Sequence, residues 1–195
     1  MTVALALDIA MHTTGWALGG EDWGRPQWGV FKTKDWKTEQ EVNLHAFRQF
    51  LDSKANTFAL THLVIEDIFV DNRNGGKAFN FSGTQAQLML AGVALEWAYG
   101  RKITPFLADI DHWRMRFLGI NRRPKDSKSD ENYWKWLALK VAAQRNWFCT
   151  VHDEAEALGI LDYALHTLSP AYRLRTDHNQ ARRHSEIDLK RGVFA

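Results

Sequence analysis

Cysteine is almost missing from this chain: Cys149 is the single thiol in 195 residues. One thiol excludes an internal disulfide and any zinc site built on paired thiolates, and it fits a reducing compartment. Long apolar runs are missing too, since no stretch reaches the roughly 18 residues of a membrane-spanning helix. The apolar N-terminus, Val3 to Leu7, is cut short by Asp8, and no basic residue precedes it, so no secretory signal is expected. Neither charge sign is in excess: 25 Lys and Arg stand against 23 Asp and Glu, a net +2. Net charge therefore points to neither a nucleic-acid nor a membrane partner. There is no internal repeat. These absences predict a soluble cytoplasmic protein, and the lack of a targeting segment disfavours an organelle.

What is present is globular: 45% hydrophobic and 25% charged residues, enough for one compact domain. Residues 2–9 form a short apolar run that reads as a buried strand, and 14–20 and 27–33 are Gly-punctuated strands separated by the turn material GEDWGRP. A helix is expected over 38–52, with Thr38 as its cap and Leu44, Phe47 and Leu51 at helical spacing. LVIEDIFV (63–70) predicts a strand ending near its acids, and NRNGGK (72–77) a loop. Helix 83–99 would place Leu88, Ala91, Leu95 and Ala98 on one face, and strand 102–107 follows. Helices are expected at 109–118, 131–146 and 153–167, with a polar, basic segment at 119–130. Three hairpin-joined strands followed by strand–helix–strand units predict a mixed α/β sheet of five strands, three antiparallel and then parallel, flanked by helices. The domain is expected to span 1–170, and 171–195 to be a basic C-terminal extension, with six Lys and Arg from 173 onward.

Four carboxylates stand in unusual places. Asp8 lies at the end of the first buried strand and Glu66 at the end of the fourth. Asp153 and Glu156 open the last apolar helix, three residues apart and so on one face. Buried carboxylates are costly unless paired with cations or metal. Hard oxygen ligands suit Mg²⁺ or Mn²⁺, and a pair of such ions serves phosphodiester hydrolysis. Taken singly, each acid has another reading: Asp8 starts a turn, Asp153 is an N-cap, and Glu156 is the acid of a capping box.

The motifs carry a resemblance. LALDIAMHTTGWAL resembles the first strand and hairpin of RuvC-type Holliday-junction resolvases, and VIEDIFV their fourth strand. QAQLMLAGVALEWAYGRKITPF resembles the following helix and strand, and HDEAEALGILDYAL the final acidic helix. The four segments occur in family order over residues 3–168. The resemblance implies an RNase H-like fold, with Asp8, Glu66, Asp153 and Glu156 as catalytic acids holding two Mg²⁺ or Mn²⁺ ions. Glu156 departs from the family's usual Asp by one methylene, and its neighbours His152 and Glu154 could take its place in another helix register. Asp162, two turns on, reads as structural, and the remaining histidines show no ligand spacing.

The implied activity is structure-selective cleavage of four-way junctions, leaving a 5′-phosphate and a 3′-hydroxyl. The alternatives are a branched-DNA or flap nuclease of the same fold, as a phage-type enzyme would be, and a non-catalytic DNA-binding module. Phe69, three residues after Glu66, would stack on bases at the opened junction, with Phe79 and Phe81 as other wedges. DNA contacts are expected from Arg114, Arg116, Arg122, Arg123, Lys125 and Lys128. The family implies a homodimer, expected through Leu88, Met89 and Val93 of helix 83–99, with an exposed Trp134 or Trp136 as a further contact. A branch-migration helicase is compatible with this role, but no residue identifies one.

Overall fold

The structure, a computed structural model, describes residues 1–67, 81–127, 130 and 132–177. Phe69, Phe79, Lys128 and the loop at 72–77 lie outside the described residues. Three strands, β1 (Val3–Ile9), β2 (Thr13–Gly20) and β3 (Gln27–Lys32), form an antiparallel meander. Helix α1 (Gln40–Thr57) crosses to β4 (His62–Glu66), and α2 (Phe81–Gly100) leads to β5 (Thr104–Ala108). Both later strands run parallel to β1, giving the expected mixed sheet in the order β3-β2-β1-β4-β5. Helices α3 (Ile110–Leu118), α4 (Tyr133–Gln144) and α5 (His152–Leu168) follow.

Residues alternate sides along β1 with period two, and the alternation sorts them by size. Val3, Leu5, Leu7 and Ile9 meet α1 and α2 in one core. Ala4 and Ala6 face the other way, with Ala17 of β2 and Val64 of β4, into a second core built on α3, α4 and α5. Small residues on that face let α5 lie close to the sheet, and Gly19 packs against Leu161 and Leu165. By the same period, Asp8 follows Ala4 and Ala6, and Glu66 follows Val64, onto the α5 side. Both stand at the carboxyl ends of adjacent parallel strands, with Leu7 opposite Ile65.

Several local expectations change. Thr38 does not cap α1: its N–H and hydroxyl bind Asp35, and the helix starts at Gln40 behind Glu39. On α2, Ala91 and Ala98 are buried and Leu95 packs against the core as expected, but Leu88 is exposed, and Ala86, Leu90, Ala94 and Trp97 complete the inward face. That helix is apolar almost all round, so its periodicity does not select a face. Among its described residues, the polar segment contains one 3-10 turn, Lys125–Ser127. Residues 170–177 are helical, and Tyr172 is buried in the second core. No helix among the described residues is long and apolar enough to cross a membrane.

Candidate metal and nucleic-acid site

The four predicted acids converge at the carboxyl ends of β1 and β4 beneath the start of α5. Asp8 feels Glu156, Glu66 and Asp153 electrostatically, and its carboxyl hydrogen-bonds that of Glu156. Burial, then repulsion from these three acids, pushes the Asp8 pKa well above the usual carboxylate range. Burial and then Glu66 raise Glu156 to about 7. Two carboxyls in hydrogen-bond contact are stable without a cation when a proton lies between them.

Two of the four acids are held by a neighbour from another element. Thr13 Oγ1 donates to Asp153 Oδ2 at 2.7 Å, tying β2 to α5. Trp113 Nε1 of α3 donates to Glu66 Oε2 at 2.8 Å. Burial raises the Glu66 pKa, while the Trp113 bond and the charge of Arg114 pull it down. Arg114 also lowers Glu156, so its positive charge acts on both acids. Its guanidinium sits 4.6 Å from the Trp134 ring centre and 5.4 Å from that of Trp113, between two aromatic faces.

The local reason for the α5 arrangement is its cap. Glu154, not Glu156, is the third residue of the helix, and its Oε2 accepts from the backbone N–H of Thr150 at 2.7 Å. The same oxygen lies 3.4 Å from Val151 N and 3.2 Å from the Thr150 hydroxyl. This corrects the capping-box reading of Glu156 and leaves its carboxyl for the cluster. Asp153 sits inside the first turn, behind the Val151 cap, so it is not the N-cap either. Glu154 is likewise committed and does not replace Glu156.

His152 is the residue that spacing left undecided. Its Nδ1 lies 2.6 Å from Asp153 Oδ1 and 3.6 Å from Glu156 Oε2. Ligand atoms of His152, Asp153 and Glu156 lie within 4.8 Å of one another. The Nδ1 atom is buried and makes no hydrogen bond of proper geometry. An orphaned imidazole nitrogen among carboxylates that repel one another fits a divalent cation, which would relieve both. The sequence signal was the residue's place immediately before the acidic motif.

The basic residues divide. Arg122 and Lys125 are exposed, and Arg123 is half-buried, donating to the Asp130 carbonyl at 2.9 Å. Arg116 is turned elsewhere. Its Nε lies 3.5 Å from the buried Asp162 carboxylate, and its other nitrogens reach Asp177 at 3.3 Å and Thr176 at 3.1 Å. Arg145 Nη1 pairs with the same Asp162 at 3.0 Å, and the Tyr172 hydroxyl donates to it at 2.8 Å. The expected DNA contact from Arg116 is thus replaced by an internal ion-pair network, and Asp162 is structural, as its position suggested.

No family model matches this chain, and no curated protein matches it by sequence. Solved structures do. A Thermus thermophilus RuvC in complex with a Holliday junction substrate superposes with a TM-score of 0.62, covering 88% of this chain and 98% of that one at 11% identity. Another T. thermophilus RuvC structure gives 0.57, covering 90% and 97% at 14% identity. At such identities the likeness is one of fold.

Proposed function

We propose that this chain, which has the RNase H-like fold of RuvC, is a metal-dependent DNA endonuclease that cuts four-way junctions. The observation that carries the reading is the convergence of Asp8, Glu66, Asp153 and Glu156 from two strand ends and one helix start. A site assembled from distant segments, at the cost of carboxylate repulsion, is what cation binding requires and folding alone disfavours.

Asp8, Glu66, Asp153 and Glu156 would hold two Mg²⁺ or Mn²⁺ ions, with His152 Nδ1 as an added donor. The ions would supply a hydroxide nucleophile at neutral pH and charge stabilisation of the leaving 3′-oxygen. The protein's own share is alignment. Thr13 fixes Asp153, Trp113 fixes Glu66, and Arg114 offers a cation beside the acids for a scissile phosphate. Arg122, Arg123 and Lys125 would contact flanking phosphates. Residues 1–170 would form the nuclease domain, with Tyr172 and Thr176 packed onto it, and the basic residues that follow would extend the DNA footprint.

Two symmetric cuts need two sites on a two-fold axis. We place the dimer contact on α2, whose outer face exposes Leu88 and Tyr99. A protein that stays monomeric at micromolar concentration, with and without junction DNA, would end that reading.

The test compares a labelled four-way junction, a Y-fork and a linear duplex in Mg²⁺ and in Mn²⁺, with Asp8→Asn alongside. Paired symmetric nicks on the junction alone, abolished by Asp8→Asn, are expected. Preference for the Y-fork would reassign the substrate. Junction binding without cleavage in either metal would leave a DNA-binding module.

A further inference from the structure

Trp113 is 1% exposed and stands where three elements meet. It belongs to α3, its N–H reaches Glu66 on β4, and its ring edge lies against α5 at Gly159. A Cβ on Gly159 would come within 2.7 Å of Phe117 Cδ1 and 3.0 Å of Trp113 Cζ3, so the glycine makes room for both rings. On its other side the ring faces the Arg114 guanidinium. A buried indole N–H needs an acceptor, and here the acceptor is one of the four clustered acids.

We infer that Trp113 is a positioning residue for the proposed metal centre, its N–H occupying one oxygen of Glu66 and leaving the other for the cation. The inference rests on the nuclease reading above. Its physical basis is the neutrality of the donor. A Lys or Arg at the same distance would orient Glu66 but cancel the charge that attracts the cation. An indole N–H orients the carboxylate and leaves its charge intact. The ring is rigid and wedged against Gly159, so Glu66 is held in one rotamer before metal arrives. The same ring face supports Arg114, so one side chain sets both an acid and the cation beside it.

The test uses the full chain with ¹⁵N-labelled tryptophan. The Trp113 indole N–H resonance is assigned by its proximity to Gly159 and followed in wild type and in Glu66→Gln. It is expected to move upfield when the charged acceptor is lost, while the other eight of the nine indole signals hold. Trp113→Phe keeps a ring but removes the donor. It is expected to weaken Mn²⁺ binding in calorimetry about 10–100-fold, and to lower kcat by a like factor with the junction KM unchanged.

An indole resonance indifferent to Glu66→Gln, or a folded Trp113→Phe that binds Mn²⁺ as wild type does, overturns the inference. If wild type binds metal and cuts while Trp113→Phe matches it, the positioning role alone falls. If wild type does neither, the nuclease reading falls with it. Should Trp113→Phe fail to fold by circular dichroism, the Glu66→Gln shift still decides, because Trp113 is intact there.

Discussion

Gly15 of β2 lies directly beneath the backbone of Asp153: a Cβ on Gly15 would fall on the Asp153 carbonyl. Gly15 is also the register partner of Asp8, so one glycine sets how close α5 comes to the first-strand acid. The clash is with backbone, which cannot rotate away. Gly15→Ala is expected to lower stability by at least the about 1–3 kcal/mol of an ordinary overpacked site, and to abolish cleavage by lifting Asp153 from Asp8. Thermal unfolding and a junction-cleavage assay on the same preparation check both effects.

The raised pKa values of Asp8 and Glu156 fix the sign of a pH effect. The folded, metal-free protein holds protons on these groups that the unfolded chain releases above about pH 4. Stability of the metal-free protein therefore falls as pH rises from about 4 through about 7, the value to which Glu156 is raised. The loss from Glu156 alone is on the order of 3 kcal/mol. Asp8→Asn should flatten this slope and stabilise the metal-free protein at pH 8 while removing activity. Mg²⁺ should restore wild-type stability at pH 8. Unfolding in urea at pH 5 and pH 8, with chelator and with Mg²⁺, measures all of this.

Arg114 lowers the pKa of both Glu66 and Glu156. Removing its charge in Arg114→Gln lets both rise further. If ionised carboxylates are needed for activity, the acidic limb of the pH–rate profile should move to higher pH, with a lower plateau from the lost phosphate contact. A profile that only drops in height would assign Arg114 to DNA binding alone.

Asp162 is buried between Arg116, Arg145 and Tyr172. Asp162→Ala leaves two largely buried guanidinium groups without their shared partner. Breaking such a network costs about 3–5 kcal/mol, which lowers the unfolding midpoint by roughly 10 °C in a chain of this size. Mn²⁺ affinity at low temperature should be unchanged, because this network is separate from the acid cluster. A calorimetric titration at 10 °C distinguishes the two sites.

Much of the fold was legible because it is local. The Gly-punctuated runs marked β1 to β3, and apolar spacing marked Phe47 and Leu51 as the buried side of α1. The acids were legible as chemistry out of place: Asp8 ends an apolar strand, and Asp153 and Glu156 interrupt an apolar helix. The face of α2 was only partly legible: Ala91 and Ala98 are buried as expected, but the helix is apolar almost all round, and Leu88 proves exposed while Leu90 is buried. The choice among Glu154, Glu156 and His152 was not legible, since each fits a helix start. Only the bonds from Thr150 and the position of His152 Nδ1 separate them.

The sequence by itself determined the order of strands and helices, the parity that turns Asp8 and Glu66 to one side, and the set of acids available. These follow from periods of two and 3.6 residues, which act within one element. Tertiary structure alone decided that Trp113 serves Glu66, 47 positions away, that Thr13 serves Asp153 across 140, and that Arg116 is spent on Asp162 rather than offered to DNA. A hydrogen bond between distant segments depends on how closely helices settle on a sheet. Here that distance was set by the alanines and glycines facing α5, whose small size leaves the space in which the acids meet.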